Sequence, residues 1–188
     1  MRVLYLTAVI ATLCSFASAS SPILPRQQDP CTATAANASV ELGNWLECQV
    51  NKFFPYPANG AWDVAYEAVF SKTLLASFNQ SRFDFDGFKT LYKSFNASIG
   101  ASFKEFDHGF LTTVSVPNSC GDKGGFVYAT GWEGGTTLLG TDLWFTDAVF
   151  VVVEDVGGER QIAEFRESSN IPFSGNLPAT QDWTCALP

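Results

Sequence analysis

Thr146-Asp147-Ala148-Val149-Phe150-Val151-Val152-Val153-Glu154-Asp155, then Gly157-Gly158, then Gln161-Ile162-Ala163-Glu164-Phe165-Arg166-Glu167, is the stretch that decides how this chain folds. Phe145, Val149, Val151 and Val153 alternate with Trp144, Phe150 and Val152, so Leu143 to Glu154 reads as a strand covered on both faces. Asp155-Val156-Gly157-Gly158 has the chemistry of a hairpin turn, and Arg160 to Glu167 returns antiparallel.

Upstream of that hairpin the chain stays β-like as far as Ala101. Phe126 to Glu133 is a strand ended by a Gly134-Gly135 turn, and Pro117 to Gly125 is a loop carrying Cys120. Ser102 to Asp107 and Phe110 to Val116 are strand-like, with Gly109 expected to bulge or bend the chain between them. Before Ala101 the period changes to that of helices. Phe88, Leu91, Tyr92, Phe95 and Ile99 share one helical face, with Asp84 as N-cap, Phe83 and Phe88 as a hydrophobic staple, and Gly100 as the stop. Asp86 falls in the first turn, where the helix dipole favours an anion. Trp62, Tyr66, Val69 and Phe70 predict a shorter helix, and Ser71 to Asn79 an extended segment. Leu42, Trp45, Leu46, Val50, Phe53 and Phe54 predict an amphipathic helix that stops before Pro55-Tyr56-Pro57-Ala58-Asn59-Gly60. Helices followed by a strand meander predict an α+β domain, a curved antiparallel sheet wrapped over three N-terminal helices.

The closing hairpin resembles the last strands of the SnoaL-like proteins, within the nuclear transport factor 2-like superfamily. The shared pattern is a long apolar strand, an Asp/Gly turn and an Ile-x-x-aromatic-Arg-Glu strand, here Ile162 to Glu167. The likeness covers roughly positions 41 to 170 and is closest to the small secreted members found in fungi. It implies a cone with a pocket on its concave side. Members of the family use that pocket as cyclases, isomerases, dehydratases, epoxide hydrolases or non-catalytic binders, so the fold alone does not give the function.

Several residues are candidates for that pocket. His108 is the only histidine and the first choice for proton transfer near neutral pH. In dehydrating and cyclising relatives an Asp–His pair lies in the pocket. Here Asp107 and His108 are adjacent on a strand and point to opposite faces. Asp147 is a carboxylate within an almost wholly apolar strand, which must raise its pKa or find a partner. Arg166 fits the arginine position of epoxide-hydrolysing relatives, although Ser168 stands where their acid is expected. Glu164 shares a face with Arg166 and is expected to pair with it or to touch a ligand. Trp132, Phe145 and Tyr128 are candidate lining. No nucleophile elbow, phosphate loop, C-x-x-C pair or other zinc spacing is present, so neither a cofactor nor a metal is expected.

The beginning of the chain reads as an export signal. Arg2 precedes an apolar run from Val3 to Cys14, and Ala17-Ser18-Ala19 offers small residues for cleavage, so positions 1–19 are a signal peptide. That run is well short of the ~20 residues that span a bilayer. Positions 20–30 are a polar, Pro-rich leader, either a pro-segment cleaved after Arg26 or a loose tail. Positions 31–188 form one domain, with a turn-rich tail from about 171. Cys31, Cys48, Cys120 and Cys185 remain after cleavage, allowing three pairings; Cys31–Cys185 with Cys48–Cys120 is preferred. Asn37, Asn79 and Asn96 each begin an Asn-x-Ser sequon. Nineteen acidic against eleven basic residues, with no basic run, exclude nucleic acid and anionic membrane as partners. Aromatic residues at 14% and charged residues at only 16% suit a large core or an apolar pocket. The expected protein is therefore extracellular and takes a small apolar ligand, with catalysis of SnoaL type or a surface-interaction role as alternatives. The resemblance also implies that an uncovered sheet face can pair as a homodimer, although the sequence itself does not give the oligomeric state.

Overall fold

The computed structural model describes residues 28–56, 61–119 and 121–171. The signal peptide, the leader through Arg26, the end of the Pro55–Gly60 breaker, Cys120 and the tail carrying Cys185 lie outside these residues.

Three helices precede most of the sheet. Helix α1 spans Ala38–Phe53, α2 Trp62–Val69 and α3 Phe85–Ser102. The α1 N-cap is Asn37, whose side chain accepts the Val40 N–H. Asp84 caps α3 as expected, accepting the Gly87 N–H at 2.9 Å, and the rings of Phe83 and Phe88 lie 6.1 Å apart. Helix α3 runs two residues beyond Gly100. Nothing lies within 4 Å of a side chain placed at that glycine, so no close contact forces the helix to end there.

Six strands form one sheet: β1 Phe70–Phe78, β2 Ser81–Phe83, β3 Asp107–Pro117, β4 Gly125–Thr136, β5 Asp142–Val156 and β6 Glu159–Ser169. Their spatial order is β2-β1-β6-β5-β4-β3. The β3 to β6 meander is antiparallel, as expected. The sheet as a whole is mixed, because β6 also pairs in parallel with β1, with Ala76 opposite Phe165 and Phe78 opposite Glu167. It curves without closing into a barrel.

Three local expectations are corrected. Ser102 to Phe106 is not a strand: α3 takes Ser102, only Phe103 bridges, to Thr137, and β3 begins at Asp107. The irregularity in β3 falls between Phe110 and Thr112 rather than at Gly109. Gly109 instead admits an indole, since a Cβ there would stand 2.9 Å from the Trp132 ring. Gly134 and Gly135 continue β4 in register with β5, and the chain turns at positions 137–141, where Thr137 and Thr141 close the loop by a backbone bond of 2.9 Å.

The helices pack on the concave face. Leu42, Leu46, Phe53, Tyr66, Phe88 and Leu91 are fully buried there against Val127, Val151, Val153 and Ile162. Phe53 sits at the centre, its ring 4.9 Å from Phe70 and 5.8 Å from Tyr92. The convex face is different. Val114, Val116, Phe126, Tyr128 and Phe150 are exposed, so β5 is covered on one side only. Its apolar residues on the other side, Phe150 and Trp144, face outward, with no described element packed over them.

Cys31 is bonded to Cys48, tying the segment before α1 to the middle of that helix. The preferred pairing of Cys31 with Cys185 and Cys48 with Cys120 is thereby corrected. The bond spans 17 positions, because buried Cys48 on α1 lies against the segment that precedes the helix.

Candidate active or binding pocket in the concave face

Strands β3 to β6 each send an alternate side chain into the concave face near one end of the sheet. On β3 this is His108, directly opposite Glu133 of β4. On β5 it is Asp147, opposite Gly131. On β6 it is Glu167, opposite Val149. Gly131 makes the convergence feasible: a Cβ there would stand 2.5 Å from the Asp147 carboxylate oxygen and 2.9 Å from the Gly109 carbonyl oxygen.

The result is a cluster of three carboxyls. One oxygen each from Glu133, Asp147 and Glu167 lies within 4.8 Å of the others. They border two small neighbouring cavities of about 30 and 50 Å³ that share Phe54, Tyr92, Glu133 and Glu167. The larger is closed on its apolar sides by Val50, Phe110, Val149 and Phe165. At ~15 Å³ per enclosed water it has room for about three water molecules. Among the described residues, no lysine or arginine lines either cavity.

The carboxyls are held in unfavourable surroundings. Burial, reinforced by the Asp147 charge, pushes Glu133 up to about 7, while a 3.1 Å hydrogen bond from the Ser169 hydroxyl partly offsets it. Burial also raises Asp147, against a hydrogen bond with the Gly131 backbone. Glu167 is raised well above the carboxylate range by burial first, then by Glu133 and Asp147. Tyr92 is raised in turn by burial and by Glu167. Its hydroxyl, 6% of the residue being exposed, has no hydrogen-bond partner among the described residues. His108 stacks on Phe54 at 3.8 Å, and its Nε2 lies 3.0 Å from the Asn51 side-chain oxygen. Burial drives it down to about 4, so the imidazole is neutral at pH 7.

Of the residues singled out from the sequence, Asp147, His108 and Trp132 border the larger cavity. Arg166 does not: it pairs across from Phe150 on the convex face and is exposed, forming an ion pair with Glu164 on the same strand. Tyr128 is 49% exposed on that face too. Phe145 lies beyond the cluster, opposite Glu133 along β4, and does not line either cavity. Glu133, Glu167 and Tyr92 were not selected from the sequence. The available signal was parity. Glu167 lies two positions from buried Phe165, and Glu133 lies in step with Val127, Ala129 and Gly131.

No family model matches the sequence, and no curated protein matches it. Solved structures do. The association domain of C. elegans CaMKII superposes at a TM-score of 0.55 with 8% identity, over 68% of this chain and 92% of that one. A Novosphingobium aromaticivorans protein, provisionally assigned as an aromatic ring hydroxylase, gives 0.51 and 13%, over 73% and 95%. A nuclear transport factor 2-like superfamily protein of Salmonella enterica gives 0.49 and 11%, over 72% and 95%. Likeness at these identities is one of fold. The chain shares the α+β fold of the association domain and of the Novosphingobium protein, three helices against one curved, unclosed sheet.

Proposed function

We propose that this is a secreted ligand-binding module whose concave pocket takes one compact small molecule. The polar end of that molecule, a positive charge or a cluster of hydrogen-bond donors, rests on Glu133, Asp147 and Glu167. Its apolar part lies against Phe54, Phe110 and Phe165. The observation that carries this reading is the three-carboxyl cluster, with no lysine or arginine among the described lining, beside a recess walled by Phe54, Phe110, Phe165, Val50 and Val149. A purely apolar ligand fits that lining poorly, since burying the acids beside hydrocarbon leaves them without partners. The small volume argues for a ligand of a few heavy atoms, or for one end of a longer ligand.

Export is part of the same proposal. It is supported by the N-terminal signal, by a disulfide of the kind that persists in oxidising compartments, and by exposed sequon asparagines at Asn37 and Asn79. Native mass spectrometry of the secreted protein, with organic extraction, is the test. A co-purifying cationic or donor-rich small molecule, lost in Asp147→Asn, supports the reading. Protein that is empty and that binds no member of a small amine and amide library overturns it.

A second reading is favoured by one specific observation. Glu133, held near 7, suits a general acid or base at neutral pH, and the neutral His108 stands beside it. This reading is a cofactor-free isomerase or lyase, with Arg166 taking no part. Turnover that disappears in Glu133→Gln while ligand binding persists distinguishes it from a binder. The exposed convex face, Val114, Val116, Phe126, Tyr128 and Phe150, is proposed as a homodimer surface, and light scattering of Tyr128→Glu against the parent checks it.

A further inference from the structure

We infer that Glu133, Asp147 and Glu167 form a binding site for one hard divalent cation, of the calcium or manganese class, at the inner end of the pocket. The inference rests on the reading above, in which the acid cluster is a binding end. Three adjacent strands supply one carboxylate each, so the ligands are set by a sheet rather than by a flexible loop.

The spacing suits such an ion. Carboxylate oxygens sit ~2.4 Å from calcium, so two on opposite sides of it stand ~4.8 Å apart. All three oxygens here lie within that span of one another. The donor set is oxygen alone, which selects hard cations over zinc or copper. His108 does not join it, because its Nε2 is engaged with Asn51. Cysteine and histidine spacings do not reveal a carboxylate site of this kind, because its ligands come from three separate strands.

An independent observation points the same way. Tyr92 comes from α3, on the opposite wall, and its buried hydroxyl has no hydrogen-bond partner among the described residues while Tyr92 lines the same two cavities. An orphaned buried hydroxyl is costly, and an ion or an ion-bound water beside the carboxylates satisfies it. Three protein oxygens leave coordination positions open, and the adjoining cavity of about 50 Å³ has room for the waters or ligand oxygens that would fill them.

The test is a terbium titration of the chelator-treated, secreted full chain, with aromatic excitation and competition by calcium, manganese and magnesium. Tyr92 and Trp132 stand close enough to sensitise emission. Saturable emission at one ion per chain, displaced by calcium or manganese, is expected, with affinity reduced at least tenfold in Glu167→Gln and Asp147→Asn. Tyr92→Phe should weaken binding less, and Glu154→Gln, an exposed acid on β5, should leave it unchanged. Thermal melts of each variant keep a folding defect apart from a lost site. No sensitised emission, or emission unaltered in folded Glu167→Gln, overturns the inference. The samples are also scored for organic ligand. An organic ligand held without any response to cations removes this site alone, whereas cation binding without an organic ligand keeps the site and removes the small-molecule module.

Discussion

His108 and Glu133 face each other directly across β3 and β4, and the same burial moves them in opposite directions, the imidazole down to about 4 and the carboxyl up to about 7. Both are therefore held neutral over much of the range between. Two uncharged, half-satisfied groups side by side make a pocket that titrates on both flanks of that range.

The stability of the metal-free protein should follow. Glu133 binds a proton more tightly when folded, so its contribution is present at low pH and is lost as pH rises from the carboxylate range through 7. Glu167 and Asp147 act in the same direction. His108 binds a proton less tightly when folded, so its contribution is lost as pH falls below 6.5 towards 4. Between pH 4.5 and 6.5 the Glu133 and His108 effects oppose each other, so the test is a comparison: as pH rises from 4.5 to 7 the parent should lose up to about 3 kcal/mol relative to Glu133→Gln, read from urea midpoints. Parallel profiles of the two proteins across that window contradict it.

Gly131→Ala tests how the cluster is assembled. The added methyl meets the Asp147 carboxylate and the Gly109 carbonyl, so Asp147 must move. We expect a loss of about 1–3 kcal/mol in denaturant unfolding, together with weaker terbium emission. An unchanged protein would mean that the close approach carries no constraint.

Phe88 is fully buried, with the rings of Tyr92, Phe165 and Phe70 at 5.0, 5.6 and 6.0 Å. Phe88→Ala should cost about 3–5 kcal/mol, read from the urea midpoint. Asp84→Ala should cost only about 1 kcal/mol by removing the α3 cap, and Asp84→Asn should recover most of it.

Non-reducing peptide mapping should recover Cys31 joined to Cys48. Replacing both by serine should lower stability by about 3 kcal/mol, the value for a loop of this length. Recovery of Cys31 with Cys185 would restore the pairing first preferred.

Local chemistry was the legible part of the sequence. The Asp84 cap, the Phe83–Phe88 staple and the closing hairpin each depend on residues a few positions apart. Asp147 was conspicuous because everything beside it is apolar. Glu167 was not, since Arg166-Glu167 looks like surface charge until the register sets Glu167 opposite Val149 and Arg166 opposite Phe150. Glu133 was hidden by the Gly134-Gly135 pair, which suggested that the strand had ended. The β1–β6 pairing and the Cys31–Cys48 bond depend on tertiary geometry that no local pattern encodes.

That β1–β6 pairing bears on how the molecule is made. Among the described strands, β6 alone bridges the β2-β1 ribbon and the β3 to β5 meander, and it is the last element described. Until Glu159–Ser169 has emerged, Phe70–Phe78 has an open edge and the two halves of the cone have no shared hydrogen bonds. A nascent chain must therefore keep one edge of an apolar strand open across some 80 intervening residues, a non-local closure that slows folding and invites association. Truncation anywhere before β6 should leave a protein that cannot close its core, whereas the short Cys31–Cys48 loop can form at the outset and outlast every later step.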